Sequence, residues 1–280
     1  MKTAKSYGVF GSIISYAVLT FAVVFTLTPL AWIISTSIKT ATEVFANPPM
    51  WIPRMPTLEN YTHVLFNSTI PIAFLNSFII ALTTALMAVL FGGLAGYAFA
   101  RFNFRGNRTL SLFMLLSQML PVTVLMIPMF YMANDFGLVD TRIGISFAHL
   151  VIAMPLVTWM AKGYFTGIPK EIEEAAMIDG CGRLQVMVIV VLPLVRPAIA
   201  ATGIYAFVSS WNEFVLANVL TRSTASRTVP IALSEFSSFF RVDWGHTMAA
   251  ATLITIPVII LFIAIQKQFI QGLVSGAVKE

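Results

Sequence analysis

The sequence predicts an all-α integral membrane protein that crosses the bilayer six times with both termini cytoplasmic. Three observations carry that expectation. The 280 residues are 58% hydrophobic and only 10% charged, with a mean hydropathy of +0.86, which is far too apolar for an ordinary soluble domain. Uncharged runs long enough for a membrane helix, which needs roughly 20 apolar residues, recur along the chain. Lysine and arginine are unevenly divided between the two sides that those runs define.

The first run, residues 9–36, exceeds the apolar region of a secretory signal, about 7 to 15 residues, and no small-x-small cleavage site follows it closely. It reads as a retained anchor joined to a cytoplasmic N-terminus, residues 1–36 together. Residues 37–70 form an external loop, polar and dotted with prolines (Pro48, Pro49, Pro53, Pro56), and read as an irregular connector. Residues 71–270 hold the other five spans. The second, 72–100, places Ala88, Gly92, Gly96 and Ala100 at four-residue spacing, so one face lacks bulk and another helix can approach closely.

The third span, 110–133, contains Pro121 and Pro128; the fourth, 143–161, contains Pro155; the sixth, 247–266, contains Pro257. Each proline is a point of bending. The fifth, 188–211, includes Arg196, whose head group can extend to the interface, so the apolar run proper begins near Leu192. Residues 271–280 form a cytoplasmic tail.

Lys2, Lys5, Arg101, Arg105, Arg108, Lys162, Lys170, Arg183, Arg196, Lys267 and Lys279 fall on the terminal side, against Lys39, Arg54, Arg142, Arg222, Arg227 and Arg241 on the other. The majority marks the cytoplasm. The net charge of +5 requires only this bias and anionic lipid, not nucleic acid. The single cysteine, Cys181, cannot form an internal disulfide.

Between the fourth and fifth spans lies PKEIEEAAMIDGCGRLQVMVIVVLP, residues 169–193, unexpectedly acidic for its surroundings. Pro169 suits a first helical turn, Glu171, Glu173 and Glu174 sit at the positive end of a helix dipole, and Gly180 can stop the helix. The expected helix spans 169–179. A helix of about 10 residues is marginal alone in water, so packing must hold it. Ile172, Ala175, Ala176 and Asp179 share one face, a small-residue surface suited to a partner's groove. An acidic helix is repelled by anionic headgroups, which disfavours a lipid-surface role.

Glu174-Ala175-Ala176, three residues to Gly180, nine more to Val190 and then Leu192-Pro193 resemble the EAA loop of binding-protein-dependent ABC importer permeases; the family usually has isoleucine where Val190 stands. The sequences Gly96-Tyr97-Ala98-Phe99-Ala100-Arg101, Trp211-Asn212-Glu213-Phe214, Trp244-Gly245, Met248-Ala249-Ala250 and the tail from Gly272 to Lys279 resemble the sugar-importing branch, most of all the maltose-type second subunit. Where that branch often ends Lys-Gly, this chain ends Lys279-Glu280.

The resemblance implies a type I ABC importer permease fold in the cell inner (plasma) membrane. It implies a heterodimer with a second, homologous permease, two ATPase subunits that hold ATP and Mg, an external solute-binding protein and a sugar or oligosaccharide cargo. Glu173, Glu174, Ala175, Ala176, Asp179, Gly180, Leu192 and Pro193 are then the coupling surface for the ATPase, and Gly272, Gly276 and Lys279 its tail contact.

No chemistry resides in the chain itself. It has no G-x-x-x-x-G-K-[ST] phosphate loop, so ATP hydrolysis belongs to another subunit and no cofactor is expected here. His63, His149 and His246 lack metal-ligand spacing, and no metal is expected. Ser146 and His149 share a helix face without any accompanying hydrolase motif; a polar pair in a bundle more often bonds between helices. Asn76, Gln118 and Asn212, with the rings of Tyr205 and Trp211, are candidates for the translocation path; interhelical bonding or interface anchoring is the simpler explanation of each taken singly. Glu213, a carboxylate at a span's outer end, needs a partner or water and is a candidate for gating or binding-protein docking. The alternative function is an ion-coupled secondary transporter, for which His149 is the one intramembrane proton site available.

Overall fold

A computed structural model of the protein describes residues 9–237 and 242–277, whose regular elements are all helices, with no strand among the described residues. In chain order the helices are α1 (Val9–Ser37), α2 (Ala41–Val44), α3 (Glu59–Phe66), α4 (Ile70–Met87), α5 (Gly93–Arg101), α6 (Asn107–Ser117), α7 (Val122–Asp135), α8 (Arg142–Thr166), α9 (Lys170–Ile178), α10 (Arg183–Gln185), α11 (Leu192–Trp211), α12 (Val215–Leu220), α13 (Val229–Ser234) and α14 (Trp244–Ala277). Turns of π-helix join α4 to α5 (Ala88–Gly92) and α10 to α11 (Val186–Val191).

Among the described residues, five continuous helical stretches are long and apolar enough to span a bilayer: Gly11–Ser37, Ile70–Arg101, Arg142–Thr166, Arg183–Trp211 and Trp244–Ala264. A bent pair of helices, Asn107–Ser117 with Val122–Asp135, brings the number to six if it counts as one span. Where the sequence predicts one span over 110–133, α6 and α7 meet at 102°. Proline disfavours the α conformation in the residue before it, so Leu120 leaves the helix and Pro121 caps α7 with φ −59° and ψ 131°. The fifth span starts earlier than expected, at Arg183, because the π-turn carries the helix up to Pro193. There, at the start of α11, a missing N–H costs little.

The chain divides into two compact units. One comprises the described residues up to Ser68 and those of Phe236–Leu253. Its loop is more ordered than the irregular connector the sequence predicts, since its polar groups satisfy one another. Asn60 Nδ2 donates to the carbonyls of Ser37 and Lys39, both at 2.9 Å, and Glu43 Oε1 accepts from the backbone of Arg54 (2.8 Å) and Met55 (3.1 Å). Gly245 meets Asn60 so closely that a Cβ would lie 2.7 Å from Asn60 Oδ1. Lys39 is buried with its ammonium 4.0 Å from the Trp32 ring centre; burial pushes its pKa down, and Glu43 opposes that.

The second unit, Thr69–Glu235 with the described residues from Ile254 onward, holds the bundle. The small-residue face expected in the second span is real and packs on α8. A Cβ on Gly96 would lie 2.6 Å from Ala161 Cβ, and one on Gly92 would lie 2.9 Å from Val157 Cγ1. Ala81, Ala85, Ala88, Ala153, Val157, Phe207 and Trp211 form one core between α4, α8 and α11. Nearer the charged loops, Ala161, Phe165, Val186, Val191 and Val195 form another, on which Ala176 of α9 rests.

Candidate functional site: the helix between the fourth and fifth spans

The acidic segment folds as α9, within one residue of its expected limits. Pro169, extended at φ −57° and ψ 135°, precedes the first turn, which carries Glu171 and Glu173 at the positive end of the helix dipole. The far end closes by a Schellman turn: Cys181 N–H reaches Ala176 O at 3.1 Å and Gly180 N–H reaches Met177 O at 3.1 Å. The turn requires φ +89° at Gly180, a left-handed conformation that glycine alone adopts without steric cost. The chain restarts at Gly182, whose N–H donates to Gln185 Oε1 at 2.8 Å.

What holds this short helix is its own chain, on one side. Glu173 is 7% exposed and points inward. Its Oε1 pairs with Arg101 Nε and its Oε2 accepts from Tyr97 OH at 2.8 Å. Arg101 spends a second nitrogen on Ile168 O, 3.0 Å away, in the turn that leads into α9. Both charged side chains are more than nine-tenths buried, so removing either strands the other at a cost of about 3–5 kcal/mol. A cavity of about 210 Å³ opens beside the pair, lined among others by Lys170, Glu174, Met177 and Arg183.

The inward and outward faces differ from those the sequence suggested. Ala176, expected on the partner face, turns inward with Glu173, whereas Ile172, Glu174, Ala175, Ile178, Asp179 and Gly180 are exposed. Ile178 is 86% exposed and Leu184, just beyond the turn, 74%. Full burial of such a side chain against another surface would stabilise by about 1.5–3 kcal/mol. Leu192 rests on the Phe165 cluster and Pro193 is exposed. Gly272 and Gly276 fall in α14, and Lys279 lies outside the described residues.

The polar residues proposed for the path are placed very differently from one another. Asn76 is fully buried and its amide is spent within the chain, donating to Thr224 O (3.2 Å) and Arg227 O (2.9 Å) and accepting from Arg142 Nε (2.8 Å). Trp211 is buried between Phe74 and Phe207. Tyr205 is half-buried against the same core. Gln118 at the α6–α7 break and Asn212 after α11 are exposed, each donating to a backbone carbonyl at 3.0 Å.

Glu213 is nearly enclosed and holds several elements together. It accepts from the N–H groups of Leu216 (2.9 Å) and Ala217 (3.0 Å) at the start of α12, and its Oε2 lies 3.0 Å from His149 Nε2 in α8. The ring N–H of His149 is out of line with this oxygen, so the contact is not a linear hydrogen bond. On its other nitrogen His149 meets Ser210 Oγ at 2.7 Å.

Two groupings escaped sequence reading. Tyr97 and Arg101 stand four apart, hence on one helix face, but nothing in the sequence says which acid they meet. Asp140, in the bend between α7 and α8, accepts at Oδ1 from Arg222 N (2.9 Å), Ser223 N (2.9 Å) and Ser226 Oγ (2.5 Å). Burial alone raises its pKa, yet these donors outweigh burial and hold the carboxyl well below the ordinary range. Its φ of 61° is a second cue visible only in the folded chain.

The family described as binding-protein-dependent transport system inner membrane component matches residues 88–275. The sulfoquinovosyl glycerol transport system permease SmoH of Agrobacterium fabrum is 33% identical over 253 residues, covering 90% of this chain and 89% of the relative. The trehalose transport system permease SugB of Mycobacterium tuberculosis is 36% identical over 262 residues, covering 93% and 95%. In fold, the chain matches 95% of its length to 98% of a chain in a bacterial ABC transporter involved in the import of the acidic polysaccharide alginate, with TM-score 0.79 and 24% identity.

Proposed function

The chain belongs to the binding-protein-dependent transport system inner membrane components, and from that premise we infer that it is the permease subunit through which an ATP-driven importer passes a sugar or oligosaccharide. It is a multi-pass inner-membrane protein and not itself an enzyme. Its relatives' named cargoes, trehalose and sulfoquinovosyl glycerol among them, support a carbohydrate, delivered by an external binding protein. A second, homologous permease completes the pathway, and two separate ATPase subunits hold ATP and Mg.

The observation that carries this reading is the outward face of α9, where exposed Ile178 stands among Glu174, Ala175 and Asp179 on a helix locked to the bundle from behind. Such a face fits a groove on an ATPase subunit. Closing of the ATPase pair around ATP moves the helix, and the spans attached to it tilt, alternating access to the path. Glu174, Ala175, Asp179 and Gly180 are the contact and cap residues, with Leu192 and Pro193 setting the restart of the fifth span. Gly272, Gly276 and Lys279 give a second contact, and Gln118 and Asn212 are the exposed polar groups available to solute.

Reconstitution with the partner subunits tests it. ATP enclosed with the ATPase drives labelled disaccharide uptake in the presence of binding protein, and Ile178→Asp abolishes it. Uptake driven by a proton gradient without ATP would instead identify an ion-coupled carrier.

A further inference from the structure

We propose that Arg101 and Tyr97, at the cytoplasmic end of the second span, are the positioning residues of a rigid latch on Glu173 that delivers the motion of α9 to the second and fourth spans together. The proposal rests on the coupling role inferred for α9 and adds the route by which force leaves it. Covalently, α9 is tied to α8 through a three-residue turn and to α10 through Asp179–Gly182. Neither linker alone would make a short helix push a membrane span as a unit, because both contain glycine.

Arg101 removes that slack. One guanidinium group holds the Glu173 carboxylate and the Ile168 carbonyl at once, so the first turn of α9 and the turn before it become one body with the end of α5. Tyr97, one turn earlier on the same face, takes the other carboxylate oxygen, which fixes the orientation of Glu173 as well as its distance. Immediately behind this pair, Gly96 lets α5 touch α8 with almost no intervening side chain, its absent Cβ falling 2.8 Å from Lys162 N. Displacement of α9 therefore reaches the second span directly through Glu173, and the fourth through the α5–α8 contact. Both side chains are more than nine-tenths buried, which strengthens their attraction relative to an exposed pair even though they border a small cavity.

The test places nitroxides at positions 103 and 171 of an otherwise wild-type chain in which Cys181 is serine, in nanodiscs, alone and assembled with the ATPase subunits. The unmodified latch gives one narrow separation that stays unchanged when ATP and Mg are added to the assembly. Arg101→Ala and Glu173→Ala broaden it, make it nucleotide-dependent, and reduce the response of ATP hydrolysis to the binding protein roughly tenfold, within the usual span of coupling between sites.

Arg101→Lys keeps the charge without bridging two acceptors and gives an intermediate width. Tyr97→Phe deletes a single hydrogen bond, and its partial broadening checks the case in which the alanine variants assemble poorly. A role in folding alone would change yield and leave nucleotide dependence untouched. A wild-type separation that shifts with ATP, or variants as narrow as wild type, overturns the latch. If the wild-type chain binds no ATPase subunit, the functional reading fails, while the separation measured in the chain alone still judges the clamp.

Discussion

Gly180 shows how much one residue of this protein decides. Its φ of +89° closes the Schellman turn that ends α9, and nothing lies within 4 Å of the position a Cβ would take, so the constraint is conformational and not steric crowding. Gly180→Ala should cost about 1–2 kcal/mol of local stability, read as faster hydrogen exchange of the α9 amides with the rest of the bundle unaffected. Asp140 decides the order of the loop over residues 221–226 in the same way. Losing an anionic acceptor with three donors, Asp140→Ala should destabilise the protein by about 3 kcal/mol in a denaturation midpoint. Because the folded carboxyl titrates below its unfolded value, that advantage is fully present above about pH 4 and is lost as pH falls from there toward the lowered folded value. The gap between wild type and variant should close with acid, and a gap independent of pH would show that charge is not what holds the loop.

Among the elements, the second span is the most readable from sequence and the third the least. Four-residue spacing of small side chains announces a close helix contact, and the structure puts α8 against it. Gly96→Val should therefore cost about 1–3 kcal/mol through overpacking, whereas Gly93→Ala, three residues away with open space around it, should be tolerated or slightly stabilising. Comparing their thermal midpoints separates packing from helix propensity. The 102° break between α6 and α7 was legible only as a proline in an apolar run, since hydropathy counts residues and carries no direction. For α9 the limits and both caps followed from local chemistry: a proline, a run of acids and a glycine. Its facing did not, because Glu173 is buried by a partner 72 residues away, and helical spacing cannot tell a buried carboxylate from a solvated one. The same holds for Glu213, whose need of a partner was evident while the identity of His149 was not.

In the molecule as a whole, the bundle places an acidic helix at the cytoplasmic end of its spans, fastens it through Arg101 and leaves its far face bare. Ile178 stands 86% exposed on that face, and the proposed coupling role requires a separate ATPase subunit to cover it. The most direct measurement is site-directed crosslinking from this face. With Cys181 replaced by serine, Ile178→Cys in the assembled transporter should join covalently to an ATPase subunit through a short bifunctional reagent, and that subunit should shield the thiol from maleimide. A thiol that stays fully reactive in the assembly, or that joins only to its own chain or to lipid, would contradict the coupling role assigned to α9.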